Sequence, residues 1–297
     1  ARLPLVVFAG EAPLKSGWYN QAIDQAPLVT ATGAAYHSLH WPARMPAAIR
    51  DAFLQAARER RPVVLGVPFD LQERAWEGGT ELPDPSKELM PQTGPIPPNP
   101  DNLARMAGVL RGAKRVIIMA GMGAVEAGAG AACRALAERC DGLLATTLPA
   151  RGLFHDDPFC LGIAGGFSSD IARDCFGEAD LVIGVGTSLA SHNADVGRLW
   201  PNAKLLQIDT DPVTVSQGRV AADLHLRADA RLGVEALAQA LARRAPDWRS
   251  DALAGRIRSM PPDNAAFEIA PGTHDPRAVV RALDAAIPQG WQLVNSS

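Results

Sequence analysis

Four short runs between Arg115 and Ile208 are apolar at nearly every position: Arg115–Ala120 (RVIIMA), Leu143–Thr146 (LLAT), Leu181–Val185 (LVIGV) and Leu205–Ile208 (LLQI). No polar face alternates along them, so each requires cover on both sides, the condition of a strand inside a parallel sheet. The stretches between them can hold helices, notably Val125–Cys140 and Ser169–Phe176, and a last helix is expected from Asp229 to Arg243. A weaker strand is expected near Leu224–Leu226. At the front, Asn99 can cap a helix with Pro100 in its first position, followed by an apolar stripe of Leu103, Met106, Ala107 and Leu110, and Gly112 provides a stop. Alternating strands and helices with buried strands predict an α/β domain over 99–245, a parallel sheet flanked by helices.

The flanks carry partial α/β units. In residues 1–71, Val63–Val67 within RPVVLGVPFD is a second continuously apolar run. A helix precedes it, with Pro46 in the first turn and Ile49, Phe53, Ala56 and Ala57 spaced for a buried face. One further strand, Leu5–Ala9, lies upstream. Two strands and a helix cannot enclose a core, so this domain is expected to be truncated at its N-terminus. Residues 72–98 read as a linker, with seven prolines from Pro83 to Pro100 around its end. A second linker is expected over 246–274. Asp275-Pro276 then opens an amphipathic helix through Ile287, followed by a strand at Trp291–Val294.

At 297 residues the chain has room for about two domains. A net charge of -3 gives no reason to invoke nucleic acid or a membrane surface. No apolar span approaches membrane-crossing length and no secretory segment is present, so the cytoplasm is the default. Cys133, Cys140, Cys160 and Cys175 form no CxxC pair, and read as packing residues rather than metal ligands or disulfides.

Phosphate-loop, zinc-protease and serine-hydrolase signatures are absent; Gly186-Thr187-Ser188-Leu189-Ala190 misses the last by its final residue. Gly121-Met122-Gly123 follows a strand and opens a helix, but Glu126 stands where a dinucleotide fingerprint needs a third glycine. It reads either as a phosphate cradle or as a tight strand-to-helix turn. Gly184–Ser188 and Ile208–Pro212 end strands at a carboxyl edge, where open α/β sheets bind ligands. Asp209 or Asp211 there can hold ribose hydroxyls or cap a turn. His155 and His192 fall on expected loops as surface residues.

Several segments in serial order resemble the thiamine-diphosphate (ThDP) dependent enzymes of the acetolactate synthase and benzoylformate decarboxylase superfamily. Gln21-Ala22-Ile23-Asp24-Gln25 with RPVVLGVPFDL resembles the end of that family's pyrimidine-binding domain. Thr146–Gly166 (TTLPARGLFHDDPFCLGIAGG), EADLVIGVGTSL and KLLQIDTDP resemble its Rossmann-like central domain, and Asp275–Ser297 the opening of its diphosphate-binding domain. The resemblance implies ThDP and Mg²⁺ as cofactors, a 2-keto acid or related carbonyl substrate, and a homodimer or homotetramer. It also implies that the glutamate activating the cofactor and the GDG…N motif holding its diphosphate lie outside this chain. The chain then resembles a central fragment of a polypeptide of roughly 550 residues, inactive alone. Ser296 and Ser297 would directly precede the loop meeting the diphosphate. Gln21 and the loop from Tyr36 through His37 to His40 would survive from a substrate-facing surface.

Gly33 stands where acetolactate synthases carry a lysine, and Gly186–Ser191 replaces their arginine and acidic pair. Both departures weaken that activity, and the second also weakens flavin binding. If the central domain does bind a dinucleotide such as FAD, the candidates are Gly121, Gly123, Thr147, Leu148, Gly165, Gly186 and Asp209; an empty domain is the favoured expectation. A non-catalytic nucleotide-binding module is the alternative. An NAD-dependent deacylase, which usually carries CxxC pairs for zinc, ranks far behind.

Overall fold

The computed structural model describes residues 3–76, 82–90, 94–211, 220–259 and 268–291. It divides into two compact units, Ala1–Gly94 and Pro95–Ser297.

The first unit contains β1 (Val6–Glu11), α1 (Gln25–Ala31), β2 (Ala35–Ser38), α2 (Met45–Glu59), β3 (Val63–Pro68) and the single turns α3 (Phe69–Gln72) and α4 (Ser86–Leu89). The strands form a parallel sheet in the order β1-β3-β2. Its register sets Ala9 and Ser38 on either side of Gly66, and Tyr36 beside Val64. Because side chains alternate along a strand, Glu11, Gly66, Tyr36 and Ser38 share one face. Ala35, Val63 and Leu65 lie on the other, packed with Ala52 and Ala56 of α2.

Two expectations need correction here. The sequence reading found no strand at Ala35–Ser38 and no helix at Gln25–Ala31; both form, so the unit has three strands. Phe53, expected in the buried face of α2, is 49% exposed. Ala56 is buried as expected, Ala57 is exposed like Phe53, and Ala52 joins the buried face, where small side chains let the helix approach the sheet.

The second unit opens with α5 (Pro100–Gly112), whose free N–H groups at Asp101 and Asn102 are accepted by Asn99 Oδ1. There follow β4 (Val116–Ala120), α6 (Met122–Glu126), α7 (Gly130–Cys140), β5 (Leu143–Thr146), β6 (Cys160–Ile163), α8 (Asp170–Glu178), β7 (Leu181–Val185), β8 (Lys204–Asp209), β9 (Leu224–Arg227), α9 (Ala230–Gln239), α10 (Asp251–Arg258) and α11 (Pro276–Ala286). Six strands form one parallel sheet in the order β6-β5-β4-β7-β8-β9. The expected α/β class and flanked parallel sheet are present. Every residue of β4, β5 and β7 is buried, as continuous apolar runs require. Met106, Leu110, Leu136, Val234 and Leu237 cover one face, while Phe176, Trp200, Trp248 and Leu253 cover the other.

Three differences have local causes. The helix expected over Val125–Cys140 is broken into α6 and α7 at Gly128, whose φ of +63° a side chain rarely adopts. Strand β6 escapes the pattern because it is four residues long, contains Gly162 at φ +78° and pairs with β5 through a register shift. Residues 246–258, expected as linker, are tied into the core. The buried Asp141 carboxylate accepts N–H bonds from Asp247 (2.8 Å), Trp248 (2.6 Å) and Arg249 (3.0 Å). Those bonds deliver α10, with Leu253 and Ala254 buried.

Helix α11 forms as expected from Pro276, and none of its residues is buried. The expected strand Trp291–Val294 falls outside the described residues after Trp291, as do Ser296 and Ser297. Among the described residues no helix is long and apolar enough to cross a membrane.

Candidate functional site

The second unit's sheet reverses its strand order between β4 and β7, the place where open α/β sheets usually form a ligand crevice. Most of the residues expected for a dinucleotide sit beside it, and the backbone there is already occupied. Gly121 N–H donates to Val185 O (2.8 Å), Gly123 N–H to Gly186 O (2.9 Å), Gly186 N–H to Ile208 O (2.8 Å) and Thr147 N–H to Ala120 O (2.9 Å). A phosphate cradle needs such N–H groups turned outward. The glycines are required for a different reason. A Cβ on Gly121 would stand 2.7 Å from Thr187 Cβ, and one on Gly186 would stand 2.5 Å from the Gly123 carbonyl carbon. Gly186 also holds φ +56°.

Gly165, at φ +93°, passes so close to the 191–193 turn that a Cβ would overlap the His192 carbonyl, which also accepts the Gly166 N–H (3.1 Å). Leu148 is partly exposed in the turn after Thr147. Asp209 lies at the end of β8, where its Oδ1 accepts from Asp211 N (3.3 Å). The N–H groups of Gly121, Gly123, Gly186 and Thr147 are thus engaged within the fold.

The cysteines are equally committed to packing. Cys133 and Cys140 are buried, and burial pushes each thiol up to about 12. The described residues contain no group of three or more His, Cys, Asp or Glu side chains placed to hold a metal.

The first unit behaves differently. At the carboxyl edge of its sheet, Tyr36 Oη and Ser38 Oγ of β2 both donate to the carboxylate of Glu11, the last residue of β1. Ser38 Oγ also lies 2.6 Å from His40 Nε2. Gly66 of β3 leaves the passage between them, because a Cβ there would stand 2.5 Å from Glu11 Cδ. Burial, then the hydrogen bond and charge of Glu11 and the charge of Asp24, hold the Tyr36 phenol well above its ordinary range. Tyr36 is therefore a persistent hydrogen-bond donor. Gln25 Nε2 of α1 donates to Gly10 O (2.6 Å), fixing the start of α1 beside the end of β1.

Of the expected substrate-facing residues, Tyr36 and Ser38 join this constellation, with His40 beside Ser38. His37 points to the opposite face, where its Nε2 meets Gln55 Oε1 of α2 at 2.8 Å. Gln21 is exposed and accepts a long bond from Tyr19 (3.4 Å). Sequence reasoning missed Glu11 and Gly66. A carboxylate directly after an apolar strand and a glycine within another were the only signals, and neither shows which strands are neighbours.

Residues 103–237 match the family model described as the thiamine pyrophosphate enzyme central domain. The match takes in all six strands of the second unit's sheet, so this unit is similar to that family's central domain. A "probable acetolactate synthase large subunit" of Methanocaldococcus jannaschii is 28% identical over 77% of this chain and 39% of its own length. A "probable 2-ketoarginine decarboxylase" of Pseudomonas aeruginosa is 30% identical over 96% of this chain and 50% of its own. The glyoxylate carboligase of Escherichia coli O157:H7 is 25% identical over 80% of this chain and 40% of its own. The chain thus spans half or less of the length of these relatives.

Proposed function

We propose that the chain is part of a ThDP-dependent enzyme that decarboxylates or ligates a 2-keto acid or related carbonyl compound. The observation that carries this reading is the match of residues 103–237 to the central domain, with an α/β unit before it and the helix α11 after it. The named relatives are synthases, decarboxylases and carboligases, which favours an enzyme over a bare nucleotide-binding module. The interlocked glycines point the same way, and the second unit acts as a scaffold holding no dinucleotide.

ThDP supplies a carbanion-stabilising centre that stores the electrons released on decarboxylation. Ser296 and Ser297 would stand before the diphosphate, with Mg²⁺ held by the GDG…N motif expected outside this chain. In the first unit, Tyr36 and Gln21 would border the substrate, with Glu11, itself held by Ser38, fixing the Tyr36 hydroxyl. His37 would support the sheet from its far face through Gln55. A homodimer or homotetramer in the cytoplasm fits such an enzyme.

The test is the intact mass of the polypeptide in its native source, followed by turnover assays on 2-keto acids with and without ThDP and Mg²⁺. A mass near twice 31.4 kDa and strictly ThDP-dependent turnover are expected. ThDP-dependent turnover by purified 1–297 alone would contradict the fragment reading.

A further inference from the structure

Among the described residues, the Glu11 carboxylate has no cationic partner. Both partners of its carboxylate, Tyr36 and Ser38, are uncharged hydroxyls. Among the described residues no ion pair engages it, although the same unit pairs Arg50 with Asp51, and Arg58 and Arg61 with Glu59. Asp24 adds a second negative charge near Tyr36.

A tie between β1 and β2 could be made by a glutamine at no electrostatic cost. A half-buried carboxylate instead loses hydration that neutral donors only partly replace. Two hydroxyls also occupy only part of its acceptor capacity, about four lone-pair sites. The group is aimed by three strands, cleared by Gly66 and placed at the carboxyl edge of a parallel sheet, where such folds receive ligands.

We propose that Glu11 is the anchoring counter-ion for a cationic group, guanidinium or ammonium, on the tail of the carbonyl substrate. Tyr36 and Ser38 orient the carboxylate so that its outward lone pairs meet the cation's N–H donors, a geometry guanidinium satisfies best. The inference rests on the ThDP reading for the keto-acid end of the substrate, but the anchor belongs to this chain alone.

The test is a titration of the 1–297 chain followed by NMR of the Tyr36 ring, simple to assign because the chain has 2 tyrosines. The probes are 5-guanidino-2-oxopentanoate and the neutral-tailed 2-oxohexanoate. The guanidino acid should perturb Tyr36 and bind at least about tenfold more tightly, a difference of about 1.4 kcal/mol. Glu11→Gln should erase that preference, whereas Glu59→Gln, which removes a carboxylate paired with Arg58 and Arg61 in the same unit, should keep it. Circular dichroism establishes that both variants fold. Equal binding of the two probes, no binding, or an unchanged preference in Glu11→Gln would each overturn the anchor. Failure of the ThDP reading would show separately, as cofactor-independent turnover or none in the assays above.

Discussion

Asp141 shows how much one side chain decides. It closes α7 in the left-handed conformation at φ +55°, and its carboxylate takes three backbone N–H bonds from residues 247–249. Removing it leaves three donors unsatisfied in a buried place. Asp141→Ala should therefore cost about 3 kcal/mol, read from the shift of a urea midpoint at constant slope. Gly186→Ala should be equally severe, since it adds both a clash with Gly123 and a strained φ. A phosphate-binding glycine would give another result, lost nucleotide affinity with stability little changed. The thiols make a third case. Cys133 and Cys140 have folded values raised by burial to about 12 from the ordinary 9.0, so the native state binds more protons between those values. Their stabilisation is complete below about pH 9 and is lost as pH rises through the folded value. Both should resist a thiol reagent at pH 8 in the native protein and react once urea unfolds it.

The ends of helices and the edge of the sheet hold the next level of organisation. Arg244 reaches the C-terminal carbonyls of two helices, with Nη1 on Ala113 O (2.5 Å) and Cys140 O (3.3 Å), and Nη2 on Leu110 O and Arg111 O. One guanidinium thus caps α5 and α7 together, where a positive charge also favours the helix dipoles. Arg244→Ala should lower stability by about 2 kcal/mol, and Arg244→Lys should recover less than half, because an ammonium cannot span both ends. On β9, His225 Nδ1 lies 3.0 Å from Gln207 Oε1, and the Gln207 amide donates to Thr187 O (3.0 Å). Burial lowers the His225 value from 6.5, with Arg227 adding to the shift while Asp209 and Asp211 oppose it. The unfolded chain then binds the proton more readily, so this contribution is complete above pH 6.5 and is lost as pH falls through the folded value. A urea-midpoint profile from pH 8 to 5 should fall for the wild type and be flatter for His225→Gln.

For the whole chain, two units with separate cores imply two unfolding steps. Trp200 and Trp248 are each 5% exposed in the second unit, while Trp18 and Trp41 of the first are 80% and 69% exposed. The tryptophan red shift should therefore follow the second unit, and far-ultraviolet circular dichroism should register an earlier loss from the first. Coincident transitions by both probes would show instead that the units unfold together. The alternation in the second unit was legible in the residues because double-sided burial writes continuous apolar runs such as VIIMA and LVIGV directly into the sequence. The cap at Asn99 was equally local, and the resemblance to ThDP-dependent enzymes followed from the serial order of such segments. Strands β2 and β6 were not legible: each is four residues long, and pairing with β3 or β5 stabilises it rather than its own pattern. The same holds for function. Glycines at strand ends suit a phosphate or a close backbone neighbour equally well, and only the position of β7 beside β4 shows that Gly121 and Gly186 have such a neighbour. Glu11, Tyr36 and Ser38 lie up to 27 residues apart, and what joins them is the register of three strands, a property no single segment contains. Burial demand is local and can be read along the chain; which groups meet depends on sheet order, which tertiary packing alone decides.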